Sequence, residues 1–260
     1  MLRPQWVVLN KKALLFALAL VLFLFLVIKG AGIFMSRGVG KMMPPQQMLA
    51  TGIEKTRSSA SFRYQTETRL TTEGKANADF FSKVEGERVA PDKVRMTGVM
   101  MNTPIEFIQV GDNAYFKDQP TGQWISLPGN KLSDSELFYA ELNPLAYFNF
   151  KDVPDLKYKG LDRVNGEKLI LLEMRPNLMD PFLELRLSDY YYKVWLSPAD
   201  YRLRQASLQA RDKQNPDSGI EINLRIWDYD KNITINPPVV NPAVFSRSAP
   251  ALPDLFFDLY

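Results

Sequence analysis

The chain has 260 residues, 46% of them hydrophobic, with 32 basic and 29 acidic side chains and neither cysteine nor histidine. Those absences exclude a disulfide framework, a cysteine-attached lipid, Cys/His nucleophile–base pairs and the usual zinc ligand sets. The net charge of +3 is unevenly held: six basic residues and no acid precede Met42, leaving −3 on the rest and no electrostatic footprint for nucleic acid.

In chain order, the first element is Ala13–Ile28, ALLFALALVLFLFLVI, sixteen apolar residues directly behind Lys11 and Lys12. As a helix this run covers about 24 Å; continued to Met35, with Lys29 reaching outward, it covers about 35 Å, enough for a bilayer core. Arg3, Lys11 and Lys12 hold the N-terminus on the cytoplasmic side. The competing reading is a cleaved signal peptide ending at Gly30-Ala31-Gly32. Either way the polar remainder crosses the membrane, and the anchor is the reading taken here.

The linker Ser36–Pro45 carries two glycines and two prolines, and Pro44-Pro45 opens a helix with Met48, Leu49 and Ile53 at helical spacing, ending near Ser58. The period then changes to two. Phe62, Tyr64, Thr66, Thr68 and Leu70 alternate with charged or amide residues, and strands follow around Ala78–Arg88, Val94–Met100, Thr103–Val110, Ala114–Lys117 and Trp124–Leu127. Turn signals at Gly111-Asp112-Asn113 and Gln119–Gln123 make this a run of hairpins, hence an antiparallel sheet.

A helical insertion interrupts it: Asp134-Ser135 caps SELFYAELNPLAYFNF, whose apolar positions include Leu137, Phe138, Leu142, Leu145 and Phe148, and Pro144 kinks or splits it. Strands resume at Leu156–Arg163, Lys168–Arg175, Tyr190–Leu196, Tyr201–Ala210 and Ile220–Tyr229. This order predicts a mainly β (α+β) fold: a transmembrane helix, then one strongly curved antiparallel sheet, a half-open barrel with helices on its concave face. The division is residues 1–35 anchor, 36–45 linker, 46–240 β-rich domain and 241–260 a Pro-rich apolar tail ending LFFDLY.

Several phrases, taken in order, resemble a known family. VRMTGVMMNTPIEFIQVGDNAYFKDQPTGQWISL holds a strand at Val94–Met100, an apolar strand at Ile105–Val110, a Gly111-Asp112 turn before Tyr115, and Gly122 turning into Trp124. Tyr192–Leu203, YKVWLSPADYRL, and Ile220–Ile235 with Pro237-Pro238 beyond it follow in sequence. Over Pro44–Val240 the chain resembles the LolA-like lipoprotein-carrier superfamily, closest to its LprG/LppX lipid-binding branch. It departs from that branch in having an anchor where the lipid-bearing cysteine would stand. The resemblance implies a half-barrel whose concave face holds acyl chains or presents a surface to a partner.

Alternation nominates the inward residues: Phe62, Tyr64 and Phe80; Val94, Met96, Met100 and Phe107; Leu169, Leu171 and Val194; Ile222, Leu224 and Ile226. They suit a ligand cavity or a solid core equally. Leu137, Phe138 and Leu142 belong to a lid candidate hinged at Asn143-Pro144. Other constellations read as ordinary surface: Asp180, Glu184 and Asp189 beside Tyr190–Tyr192, and exposed strand cations at Lys168, Arg175, Arg186 and Arg202. Asp228, Asp230 and Asn232 lack the glycine and terminal acid of a calcium loop. With no catalytic or metal-binding set, the expected function is a non-enzymatic, cofactor-free protein anchored through Ala13–Ile28. It binds a lipid or acylated molecule locally at the envelope, or serves as a regulatory scaffold for another envelope protein.

Overall fold

A computed structural model describes residues 43–71, 80–128, 141, 143–179 and 185–240. The chain divides into two units, Met1–Pro44 and Pro45–Tyr260. Among the described residues no helix is long and apolar enough to cross a membrane, and Ala13–Ile28 lies outside them.

The one α-helix described, α1, spans Pro45–Arg57. Proline suits its start, and Lys55 and Arg57 in the last turn complement the helix dipole. Its buried stripe is Met48, Leu49, Gly52 and Thr56. Gly52 takes the packed place expected of Ile53, because a Cβ there would sit 2.8 Å from both the Leu196 side chain and the Tyr201 carbonyl oxygen. Ile53 is only half-buried.

Strands follow as β1 (Ser61–Thr71), β2 (Phe80–Val89), β3 (Lys93–Met100), β4 (Thr103–Val110), β5 (Asn113–Lys117) and β6 (Trp124–Pro128). Short β7 (Phe150–Asp152) pairs with β10 (Asn177–Leu178) apart from the main sheet. β8 (Lys157–Val164), β9 (Glu167–Met174), β11 (Leu187–Leu196), β12 (Leu203–Asp212) and β13 (Gly219–Trp227) complete the set. The main sheet has 11 antiparallel strands in the order β6-β5-β4-β3-β2-β1-β13-β12-β11-β9-β8. It is a meander whose two halves join where β1 pairs with β13, and it is open, with β6 and β8 at its ends. Two-residue turns set the register: Asn165-Gly166, both at positive φ, joins Val164 to Glu167.

One face, called inner here, is mainly apolar, with Thr66 and Thr68 of β1 among its polar exceptions. A single cross-strand row runs Ile105, Gly98, Val84, Thr66, Leu224, Ala206, Val194 and Leu172. The opposite, outer face carries charge at its centre. Arg63, Glu87 and Arg95 stand in register on β1, β2 and β3; Arg63 bonds Glu87 at 2.9 Å and Asp228 at 2.5 Å, and Arg95 also bonds Glu87. Beyond β13, Asp230 turns the chain back onto β1 through its backbone bond to Ser61 and its carboxylate on the Ala60 N–H at 2.8 Å. Residues 231–240 then leave the sheet, before the first proline of this stretch at Pro237, and seat Ile233 and Ile235 on Ile108, Val110, Tyr115 and Trp124. Asp228 and Asp230 thus act in ion pairs, Asp230 with Arg202 at 2.6 Å. Arg202 differs from the exposed cation expected, since its side chain is mostly shielded over the Tyr229 ring.

Candidate functional site

The inner face is the site the sequence nominates, and the strands deliver most of its residues. Phe62, Tyr64, Ile222, Leu224 and Ile226 are buried on β1 and β13, which pair at the middle of the sheet. Val94, Met96 and Phe107 join Val84, Ile105 and Ala114 in one cluster on β2–β5, with Met100 packed against its margin. Val194 is buried across from Ala206 and Leu172. Phe80 stands opposite Leu70 at the start of β2, and its side chain lies outside the described residues. So do Leu137, Phe138 and Leu142 of the lid candidate.

Two predicted positions face the other way. In the register, Leu171 pairs with Trp195 and Leu169 with Asp162, and Trp195 Nε1 donates to Asp162 at 2.9 Å on the outer side. The inward residues of β9 are Ile170, Leu172 and Met174, opposite Leu196, Val194 and Tyr192. The run Leu169–Leu172 is apolar at every position, so alternation had no polar partner to set its phase.

The sheet meets its cover through a polar strip on β1. Tyr64 Oη donates to the Glu141 backbone carbonyl at 2.8 Å, and Thr68 Oγ1 reaches Glu141 Oε1 at 3.5 Å. Pro144–Phe148 forms a 3₁₀ helix beginning at the proline, and all but Glu141 of the preceding part of the predicted helix lies outside the described residues. Its Tyr147 carbonyl accepts from Tyr192 Oη at 3.1 Å, and Phe148 and Phe150 stand edge-on to the Tyr192 ring. Gly86 lies beneath the Tyr64 ring; a Cβ there would fall 2.2 Å from Tyr64 Cζ. Thr66 Oγ1, between Tyr64 and Thr68, is buried without a hydrogen-bond partner.

Burial dominates the electrostatics. It pushes the Tyr64, Tyr147 and Tyr192 hydroxyls above their ordinary range and lifts the Glu141 carboxyl from 4.5 to about 7. Alternation could not nominate Glu141, Leu172, Met174 or Tyr192. Glu141 is an acid inside an apolar helical pattern, and that mismatch was the one available signal.

In this conformation the inner face is filled. Phe62, Tyr64, Val84, Met96, Phe107 and Val194 are 0% exposed, so no water-sized space touches them. A cavity of about 690 Å³ lies elsewhere, an open outer-face cleft between Arg175, Tyr191, Arg211, Asp217 and Glu221. Its charges are mixed, and both Arg175 and Lys193 already sit on the Tyr191 ring.

No protein-family model matches the sequence, and no curated protein matches it either. Solved structures do. LprF from Mycobacterium bovis is similar at 15% identity and TM-score 0.50, over 75% of this chain and 96% of that one. The fold is like that of LprF. LppX from Mycobacterium tuberculosis is similar at 14% identity and TM-score 0.47, covering 73% and 98%. A LolA superfamily protein from Nitrosomonas europaea follows at 11% identity and TM-score 0.35, covering 73% and 94%. At these identities the likeness is one of fold.

Proposed function

We propose that this chain is a membrane-anchored, extracytoplasmic, non-catalytic protein that binds a lipid or acyl chain and handles it beside its own bilayer. One observation carries the reading: an 11-stranded open sheet whose inner face buries a mainly apolar set of side chains, Phe62, Tyr64, Met96, Phe107, Val194 and Leu224 among them. An acyl chain laid on such a face gains about 0.8 kcal/mol per buried CH₂ without polar recognition. Met96 and Met100 add side chains that repack easily around a ligand. Because the face is filled, a ligand enters only when its cover moves, and Glu141 with the 3₁₀ helix is the described part of that cover. The anchor reading rests on Ala13–Ile28 and places the action locally, since the linker of about ten residues reaches at most about 35 Å.

Native mass spectrometry of the full chain released from detergent, followed by lipid extraction, tests this. A bound lipid in stoichiometric amount is the expected result, and a clean apo mass at every detergent concentration overturns it. The solid packing at Tyr64, Met96 and Phe107 favours a second reading, a regulatory scaffold that contacts another envelope protein through the same fold. A clean apo mass with a stoichiometric protein partner on affinity purification selects that reading.

A further inference from the structure

Glu141 is buried to 5% exposure on an apolar sheet face and takes part in no ion pair among the described residues. Among the described residues, the side chains that face it carry hydroxyls: Thr68 and Tyr64 from β1, and Tyr147 from the 3₁₀ helix, with Tyr192 of β11 beyond. The cation named in this network, Arg88, bears on the Tyr64 hydroxyl. An ionised carboxylate left in such surroundings is strongly disfavoured, whereas a neutral carboxyl is tolerated. The residue also sits at a mechanical junction. Its backbone carbonyl is the acceptor that ties this segment to Tyr64, three residues before the helix lying on Tyr192.

We propose that Glu141 is a proton-operated latch: as a neutral acid it keeps itself and the Pro144–Phe148 helix seated on the inner face, and ionisation loosens that seat. The proton passes to bulk water when the segment lifts and returns when it docks. The direction follows from linkage. A docked carboxyl titrating near 7 and a released one near 4.5 mean that the docked state binds its proton more tightly. The seat is therefore tightest below 4.5, loosens about tenfold per pH unit up to about 7, and stays loose above that, a span of up to roughly 300-fold. Acidification tightens the seat and neutral pH loosens it. The consequence for loading rests on the lipid reading above; the latch itself does not.

Hydrogen–deuterium exchange on the full chain in detergent reads the seat directly, through the Ala146, Asn149 and Met179 amides bonded at 2.9, 3.3 and 3.0 Å. After division by the intrinsic rate at each pH, protection in peptides spanning residues 143–150 should fall between pH 5 and 7, while β1 and β13 peptides stay unchanged. Glu141→Gln should hold protection flat at its acid level. A flat profile in the native chain, or the same slope in the Gln variant, overturns the proposal. If the variant fails to fold, the native series decides alone. A flat profile with lipid still bound rejects the latch and leaves the carrier; a sloping profile with a clean apo mass does the reverse.

Discussion

Tyr64 shows how one residue shapes this face. Its ring fills the space over Gly86 and its hydroxyl reaches the cover, so the pair forms a large–small complement across β1 and β2. Gly86→Ala should cost about 1–3 kcal/mol, because the new methyl meets a ring that is fully buried and cannot retreat. The urea midpoint should drop with an unchanged slope, and an unchanged midpoint would show that the ring yields freely. Alternation already nominated Tyr64 as inward. The need for glycine opposite it was invisible, because strand pairing brings residues 64 and 86 together from different hairpin arms.

At the scale of elements, α1 is bolted to the sheet by a short chain of hydrogen bonds. Thr56 Oγ1 donates to the Gly52 carbonyl at 2.7 Å and accepts from the Leu203 N–H at 3.0 Å, while Tyr229 Oη donates to the Leu203 carbonyl. Tyr229 is itself flanked by Arg202 and Arg204. Thr56→Val keeps the shape but strands the buried Leu203 amide, which should cost about 1–3 kcal/mol in denaturant titration. A loss below a few tenths would mean that the amide finds another acceptor. Helix boundaries were legible from Pro45 and the apolar spacing, and strand boundaries from the alternation and turns. The β7–β10 ladder was not, since strands of two and three residues carry no periodic signal.

For the whole molecule, the polar domain and the apolar run Ala13–Ile28 make separate demands on their surroundings. Deleting that run should move the protein from the membrane fraction to the soluble fraction on carbonate extraction, with its melting transition kept. A deletion variant that stays in the membrane fraction would show that the domain binds the bilayer by itself. The outer face supports this separation: its centre is a ladder of paired charges, and its apolar margin on β4–β6 is already covered by Ile233 and Ile235. Buried apolar side chains are therefore concentrated on the inner side.

The sequence by itself determined the antiparallel β-rich class, the hairpin order, the helix at Pro45, the helical turn beginning at Pro144 and most inward residues. Each of these follows from local periods, turn chemistry or proline geometry. Tertiary structure alone decided that Leu172 rather than Leu171 faces inward, that the face is filled, and that Glu141 lies buried against β1. Those outcomes depend on partners from other elements, Val194 for Leu172 and Tyr64 for Glu141, and no local period records them.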